Sequence, residues 1–74
     1  MIGVARDGRV ARLTLDRGDG RNALSLALLR RLRAEALALD EDEALSAVIL
    51  EAAGGNFSVG FDLKDPDVVA MGTA

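Results

Sequence analysis

The sequence predicts an α/β fold in which two strands form a hairpin and a helix then leads to a third strand. Three observations support this ββαβ order. A two-residue turn signal separates two short strand-like segments, leucines recur at helical spacing in the middle of the chain, and a continuous apolar run follows. A strand, a helix and a strand in this order form a crossover connection, which makes the two strands parallel.

The hairpin is predicted at residues 2–6 and 9–15, on either side of Asp7-Gly8. Asp-Gly is a strong signal for a two-residue turn between antiparallel strands. In the second strand an apolar set alternates with a mixed set, namely Ala11, Leu13 and Leu15 against Val10, Arg12 and Thr14. We therefore expect one face of this strand to be buried and the other to be partly solvated.

The helix is predicted at residues 25–39, with Ser25 as its N-cap residue. One stripe of its surface is apolar and wide enough to cover a sheet, and it consists of Leu28, Leu29, Leu32, Ala36 and Leu39. Leu26 and Leu37 fall outside this stripe, between arginines. They predict a second contact surface on the same helix.

A buried strand is predicted near residues 46–52, because the apolar run at 47–50 is too short for a typical helix. A short second helix is predicted after it, where Asp65-Pro66-Asp67 supplies an N-cap residue, a first helical proline and an acidic first turn. So short a helix is marginal without packing partners, and we expect self-association of the chain or partial disorder near its C-terminus.

Composition limits the chemistry that the chain can perform. Its 74 residues suffice for at most one domain, with an aliphatic core because only two residues are aromatic. It has neither cysteine nor histidine, which excludes disulfides, thiolate zinc sites and Ser-His or Cys-His catalysis within this chain. The net charge of −3 argues against a general nucleic-acid surface. Without a signal-peptide pattern or a membrane-spanning apolar run, a cytoplasmic protein is expected.

Two glycine-containing loops follow neighbouring strands of the predicted parallel pair. The loop at 16–21 is polar, with Arg21 as a candidate anion contact, and the loop at 54–63 carries Gly60 before a possible helix start. The carboxyl ends of parallel strands meet at one edge of a sheet, where open α/β sheets tend to bind ligands. The two loops therefore predict one site, in which backbone N–H groups beyond Gly60 suit a negative or developing oxygen. A plain surface loop is the alternative.

A nucleotide-binding domain that uses the same crevice is a further alternative. Gly55 and Gly60 have the spacing of a phosphate-binding loop, but Phe61-Asp62 occupies the place where Lys-Ser/Thr is required. The sequence therefore disfavours this class of protein.

Two segments resemble the enoyl-CoA hydratase/isomerase (crotonase) superfamily. One is Arg21-Asn22-Ala23-Leu24-Ser25 with the leucines that follow it, and the other is Phe57-Ser58-Val59-Gly60-Phe61-Asp62-Leu63, which is similar to that family's Phe-Ser/Cys-Ala-Gly-x-Asp-Leu segment. Both motifs at this spacing are specific, and the resemblance covers nearly the whole chain up to Lys64. It implies that residues 1–74 are the N-terminal ββαβ unit of a crotonase-like fold, which is incomplete, and part of an acyl-CoA-binding domain.

The resemblance implies an enzyme that acts on acyl thioesters of coenzyme A through an enolate. The expected reaction is hydration of a 2-enoyl-CoA. This is a lyase reaction of fatty-acid or related degradation. It implies that the Phe61 N–H is one of two donors to the enolate oxygen, that the Val59 carbonyl meets the adenine amino group, and that Asp62 is a structural cap. The other residues implied to contact the substrate are Arg21, Ala23, Leu24, Gly60 and Leu63. Coenzyme A is expected as part of the substrate, with no bound cofactor and no metal.

The sequence also departs from the family pattern. Gly18 stands where family members often carry proline, and Phe61 replaces a commoner small residue, so it is expected to narrow the acyl pocket or to change its preference. Family members are much longer, and their further residues supply the second oxyanion glycine, the catalytic carboxylates and the trimer surface.

Two further expectations follow from this length difference. The complete protein is expected to be a homotrimer or hexamer, and this chain alone is expected to lack hydratase activity. The alternative from another class is a non-catalytic truncated α/β module, or a relic of the family, that binds a partner through Leu26 and Leu37.

Overall fold

The computed structural model describes residues 1–71 of the chain. Its strands and helices are, in order, β1 (Ile2–Asp7), β2 (Val10–Leu15), α1 (Leu26–Asp40), β3 (Ala47–Ala52) and α2 (Pro66–Met71). The sheet has the order β1-β2-β3, with β2 antiparallel to β1 and parallel to β3. The predicted α/β class and parallel crossover are confirmed. The predicted disorder near the C-terminus concerns in part residues 72–74, which lie outside the described residues.

The hairpin turn lies one residue later than the sequence analysis placed it. Gly8 and Arg9 occupy the turn, between the paired residues Asp7 and Val10. Gly8 has a φ of 60°, which fits the first central position of a type II′ turn. This register places the positive φ on glycine. A turn centred on Asp7-Gly8 would also require a positive φ at Asp7, where the side chain makes that conformation sterically costly.

The core lies between one face of the sheet and α1. Ala11, Leu13 and Leu15 of β2 are all buried, so the predicted alternation in this strand is confirmed. Leu28 of α1 is 1% exposed and packs against Ile2 of β1 and these leucines. Residues that extend the cluster from its rim are Leu24, Leu32, Leu39 and Ala52. Because burial of a leucine side chain contributes about 2 kcal/mol, this cluster is the main source of stability between the layers.

The leucine stripe of α1 faces the sheet along most of its length. Leu29 is half-buried, but Ala36 is exposed, because a sheet of three strands covers only part of the helix. Of the two leucines predicted to form a second surface, Leu37 is 50% exposed whereas Leu26 is half-buried. Within residues 1–71, no helix is long and apolar enough to cross a membrane.

β3 is a strand, as predicted, but it is not buried. Val48, Ile49 and Leu50 are 46%, 38% and 44% exposed. Val48 and Leu50 pair with Ala11 and Leu13 and so share the core face of the sheet. They are exposed because α1 packs over β1 and leaves the β3 side of this face uncovered. The Cα extents of 40 × 29 × 13 Å describe the resulting flat unit.

One carboxylate caps both helices. Ser25 accepts a hydrogen bond from the Leu28 N–H at 3.1 Å, as expected of the predicted N-cap of α1. Asp65 adds a second cap, since its Oδ2 accepts from the Leu26 N–H at 2.9 Å and its Oδ1 from the Asp67 N–H at 3.0 Å. Helix starts leave such N–H groups without partners inside the helix. Asp65 therefore fixes the start of α2 against the start of α1.

Candidate functional site

The two glycine-containing loops lie side by side, as the sequence predicted. A single parallel bridge joins Leu24 to Phe61. In this bridge the Leu24 N–H donates to the Gly60 carbonyl at 2.8 Å, and the Asp62 N–H donates to the Leu24 carbonyl at 2.9 Å. The loop after β2 thus forms a short ladder with the loop after β3, at the carboxyl ends of both strands.

Asn22 links the two loops from a fully buried position. It is 0% exposed and has a φ of 52°, a conformation that asparagine adopts more readily than most residues. Its Nδ2 donates to the carbonyl oxygens of Ala53, Asn56 and Phe57 at 3.0 to 3.1 Å. Its Oδ1 accepts from the Arg17 N–H at 3.1 Å. A single amide side chain therefore satisfies buried backbone groups of both loops.

Two glycines lie close together where the loops pass each other. Gly54 and Gly20 have φ values of 92° and 73°. A Cβ atom on Gly54 would lie 2.6 Å from the Cα of Gly20, closer than real atoms pack. Asn56 spans the same gap, since its Nδ2 donates to the Gly20 carbonyl at 3.1 Å. Glycine is therefore required at position 54 for both its conformation and its size.

Ser58 orders the turn that leads to Gly60. Its hydroxyl donates to the Asn22 carbonyl at 2.8 Å and accepts from the Gly60 N–H at 3.0 Å. Gly60 has a φ of 96°, a conformation that glycine adopts at little steric cost. An L-amino acid with a side chain would be strained at this position.

The N–H of Phe61 faces away from the paired loops. The bridge uses the Gly60 carbonyl and the Asp62 N–H, which flank Phe61, so the N–H and carbonyl of Phe61 itself point to the opposite side. In a planar trans peptide the N–H is antiparallel to the carbonyl of the preceding residue. The hydrogen bond from Leu24 to the Gly60 carbonyl therefore also fixes the direction of the Phe61 N–H. Within residues 1–71 this N–H has no hydrogen-bond partner.

An open cleft of about 440 Å³ runs along both loops. Six of the predicted site residues line it, namely Arg21, Ala23, Val59, Phe61, Asp62 and Leu63. The cleft is also lined by Arg17, Asp19 and Lys64, which the sequence analysis did not single out as site residues. The other two predicted residues, Leu24 and Gly60, do not line the cleft but join its two walls through their backbones.

An ion pair joins the two walls of the cleft. Arg17 Nη1 donates to Asp62 Oδ2 at 3.1 Å and to the Ala23 carbonyl at 2.7 Å. The hydrogen bond from Arg17, followed by that from the Lys64 N–H, holds the pKa of Asp62 below its ordinary value. Asp62 is therefore a carboxylate at neutral pH, with both oxygens occupied in holding the loop. This arrangement suits a structural role better than proton transfer.

Cationic side chains remain at the rim of the cleft. Asp19 accepts hydrogen bonds from the N–H groups of Arg21 and Asn22 at 2.9 and 3.1 Å, and these lower its pKa. The Asp19 carboxylate thus shapes the backbone of its loop. Within the described part of the chain, neither the Arg21 nor the Lys64 side chain forms an ion pair. Both are therefore available to an anionic ligand.

Three further acidic residues are engaged in local contacts. Glu35 and Glu51 each pair with an arginine, at 2.8 and 3.2 Å, and Asp16 Oδ1 accepts a backbone N–H at 3.0 Å. No group of three or more Asp, Glu, His or Cys side chains within residues 1–71 is placed to hold a metal ion.

Sequence reasoning missed the residues that hold the site together. Asn22 lies inside a recognised motif, and its type is favoured at a positive φ, so a buried loop asparagine was a usable signal. Arg17 carried no such signal, because its partner Asp62 is 45 residues away in the sequence. Only the fold brings these two side chains together.

Comparison with known proteins gives consistent matches. The sequence model of the enoyl-CoA hydratase/isomerase family matches residues 5–69. The rat mitochondrial protein called enoyl-CoA hydratase domain-containing protein 3 is 43% identical over 60 residues, which are 81% of this chain and 20% of that protein. The crystal structure of enoyl-CoA hydratase from Mycobacterium tuberculosis H37Rv has a TM-score of 0.82 and 41% identity, over 86% of this chain and 29% of that one.

A second solved structure, enoyl-CoA hydratase from Mycobacterium avium, has a TM-score of 0.81 and 37% identity, over 89% of this chain and 30% of that one. The chain spans 19% to 24% of the length of the curated relatives that it matches. The similarity therefore covers most of this chain but a minor part of each relative.

Proposed function

Because this chain belongs to the enoyl-CoA hydratase/isomerase family, we propose that the complete protein acts on acyl-CoA thioesters and that this chain forms the part of the site that holds the thioester oxygen. The proposed reaction is hydration of a 2-enoyl-CoA. The observation that carries the proposal is the Phe61 N–H, which is fixed in direction, has no partner within residues 1–71 and belongs to a residue that lines an open cleft.

The proposed role of this N–H follows from the charge that hydration develops. Addition of water at the β-carbon gives a thioester enolate, whose oxygen is more negative than that of the substrate. A donor already in place stabilises that charge more than it stabilises the neutral thioester, and so lowers the barrier. The Phe61 N–H is such a donor, because the Leu24 N–H holds its peptide plane at 2.8 Å through the Gly60 carbonyl. Loss of one comparable donor lowers kcat by about 100-fold to 1,000-fold.

The coenzyme A moiety is proposed to lie over the residue 21–24 loop and Val59. The Val59 N–H donates to the Arg21 carbonyl at 2.9 Å, while the Val59 carbonyl has no partner within the described residues. That carbonyl is the proposed acceptor for the adenine amino group. Arg21 and Lys64 supply positive charge at the rim of the same cleft, which suits the phosphates of coenzyme A.

The acyl chain is proposed to contact the apolar side chains beyond Gly60. Phe61 and Leu63 are 59% and 78% exposed and both line the cleft. The Phe61 ring reduces the width available to the acyl group. Other parts of the complete protein are proposed to supply the second oxygen donor, the catalytic carboxylates and a trimer or hexamer interface. A cytoplasmic location stays a prediction.

A pair of ligands tests the oxygen contact in the complete protein. One is an acyl-CoA thioester, and the other is the matched thioether, which has the same chain but lacks the carbonyl oxygen. Isothermal titration calorimetry is expected to show tighter binding of the thioester. Gly60→Leu is expected to remove this preference, because a side chain at a φ of 96° displaces the peptide that carries the Phe61 N–H.

Gly8→Leu provides the matched control. Gly8 also has a positive φ, 60°, and open space around it, but it lies in the hairpin turn away from the cleft. Its variant is expected to keep the preference for the thioester. Equal binding of the two ligands by the unmodified protein would contradict the proposed function, and so would a Gly60→Leu variant that keeps the preference.

A further inference from the structure

The buried amide of Asn22 is the most heavily hydrogen-bonded side chain of the two loops. Its Nδ2 contacts three carbonyl oxygens of the segment 53–57 at 3.0 to 3.1 Å, while its Oδ1 accepts from the Arg17 N–H at 3.1 Å. The side chain is 0% exposed, so water does not replace any of these contacts. The amide therefore determines where the segment before Ser58 lies relative to the loop after β2.

The contacts of Asn22 continue through its backbone towards Phe61. The Asn22 carbonyl accepts from the Ser58 hydroxyl at 2.8 Å, and that hydroxyl accepts from the Gly60 N–H at 3.0 Å. Two residues after Asn22, the Leu24 N–H holds the Gly60 carbonyl at 2.8 Å. Both peptide groups of Gly60 are thus tied to residues 22–24. A shift of Asn22 would change the direction of the Phe61 N–H.

We propose that Asn22 is a positioning residue, whose side-chain amide and backbone carbonyl together set the direction of the Phe61 N–H in the site. The expected effect on kcat rests on the proposed thioester function. The effect of Asn22 on the direction of the Phe61 N–H is independent of that function. Asn22 does not line the cleft, so it acts on the substrate only through the loop that it holds. Its amide suits this role because the two N–H groups of Nδ2 donate to the carbonyl oxygens of the segment 53–57. A carboxylate has no hydrogen to donate to them.

Asn22→Asp tests the proposal because it keeps the shape and replaces the donor by a titratable group. Burial and three neighbouring carbonyl oxygens disfavour the charged form and outweigh the single Arg17 N–H that favours it, so the new carboxyl has a raised pKa. Above that pKa the carboxylate repels the segment 53–57, and below it the protonated group donates one hydrogen bond. In the complete protein, kcat of the variant is expected to be about 100-fold below that of the unmodified protein at about pH 8.5. It is expected to recover to within about tenfold at about pH 5.5.

Asn56→Asp is the matched control. Asn56 also donates from Nδ2 across the gap between the loops, but it is exposed and contacts a single carbonyl, that of Gly20. Its variant is expected to show no pH-dependent loss relative to the unmodified protein. In Asn22→Asp, kcat is expected to fall by a larger factor than KM rises. Here kcat is expressed per active site, and the number of active sites is taken from the stoichiometry of ligand binding. A role limited to stability would instead lower the number of active sites and leave kcat per site unchanged.

The amide resonance of Phe61 separates this inference from the proposed function. In Asn22→Asp it is expected to shift with the titration of the new carboxyl, and in Asn56→Asp it is expected to stay in place. If the unmodified protein neither binds nor converts thioesters but the Phe61 resonance shifts, the proposed function fails and the positioning role of Asn22 stands. If the resonance and kcat are unchanged between about pH 5.5 and about pH 8.5, the positioning role is wrong.

A second variant covers the case in which Asn22→Asp does not fold. Ser58→Ala removes the hydroxyl that links the Asn22 carbonyl to the Gly60 N–H and leaves the buried amide in place. We expect a lower kcat and a displaced Phe61 amide resonance in this variant. A Ser58→Ala protein with the kcat and the Phe61 resonance of the unmodified protein would overturn the proposal.

Discussion

Gly54→Ala is expected to destabilise the protein more than a glycine substitution that creates only backbone strain. The new Cβ would lie 2.6 Å from the Gly20 Cα, a backbone atom that cannot rotate away. Overpacking of this kind costs about 1–3 kcal/mol. The φ of 92° adds about 1–2 kcal/mol of strain for any residue with a Cβ. The expected loss is therefore about 2–5 kcal/mol.

Gly18→Ala isolates the steric part of this loss. Gly18 has a similar φ, 80°, but nothing lies within 4 Å of the position that a Cβ would occupy there, so only the strain of about 1–2 kcal/mol applies. Both substitutions also restrict the unfolded chain by similar amounts, and this effect cancels in the comparison. The chain has neither tryptophan nor tyrosine, so urea unfolding is followed by far-UV circular dichroism. Equal free energies of unfolding for the two variants would refute the close contact between the loops.

The remaining predictions concern an ion pair, the core, a helix cap and the isolated chain. The hydrogen bond from Arg17 lowers the pKa of Asp62 in the folded protein. The pair therefore stabilises the fold at pH values above the ordinary aspartate pKa of about 3.9. This stabilisation is lost as the pH falls through the lower pKa of the folded state. Acid titration of stability is therefore expected to show a smaller loss in Asp62→Asn, and an identical loss would contradict the ion pair. Leu28→Ala is expected to cost about 2–5 kcal/mol in urea unfolding, whereas the exposed Leu37→Ala changes stability by no more than about 0.5 kcal/mol; similar losses would place the core elsewhere. Asp65→Ala is expected to cost about 1–2 kcal/mol in the same measurement, since it removes caps from two helices, and an unchanged midpoint would count against the double cap. The 74-residue chain alone is expected to show no loss of a short-chain enoyl-CoA above the uncatalysed rate, and turnover that survives repurification would mean that it contains a complete site.

Local patterns in the sequence predicted the elements and their order. The alternation around Leu13, the leucine stripe that includes Leu28, and Ser25 as a cap each depend on neighbours within a few residues, and all three are confirmed. The positive φ of Gly60 was predictable for the same reason, because glycine is the residue that adopts this conformation at low cost.

Features that depend on distant neighbours were not predictable from those patterns. The exposure of Leu50 depends on how far α1 extends over the sheet, which the apolar run of β3 does not encode. The pair of Arg17 with Asp62 and the double cap by Asp65 join residues 45 and 39 positions apart. The predicted hairpin register was wrong by one residue, because the sequence allows Gly8 to be either the first or the second central residue of the turn. The long-range contacts arise only when the two loops meet.

A comparison of Phe61→Pro with Phe61→Ala in the complete protein separates the Phe61 N–H from the Phe61 side chain as the group that binds the thioester oxygen. Both substitutions remove the ring, but only proline removes the N–H. Isotope-edited infrared spectroscopy of a bound acyl-CoA reports the stretching frequency of its thioester carbonyl, which falls when a hydrogen bond polarises the bond. We expect a lowered frequency in Phe61→Ala and a frequency close to that of the free thioester in Phe61→Pro. The same lowered frequency in both variants would show that the Phe61 N–H does not bind the thioester oxygen.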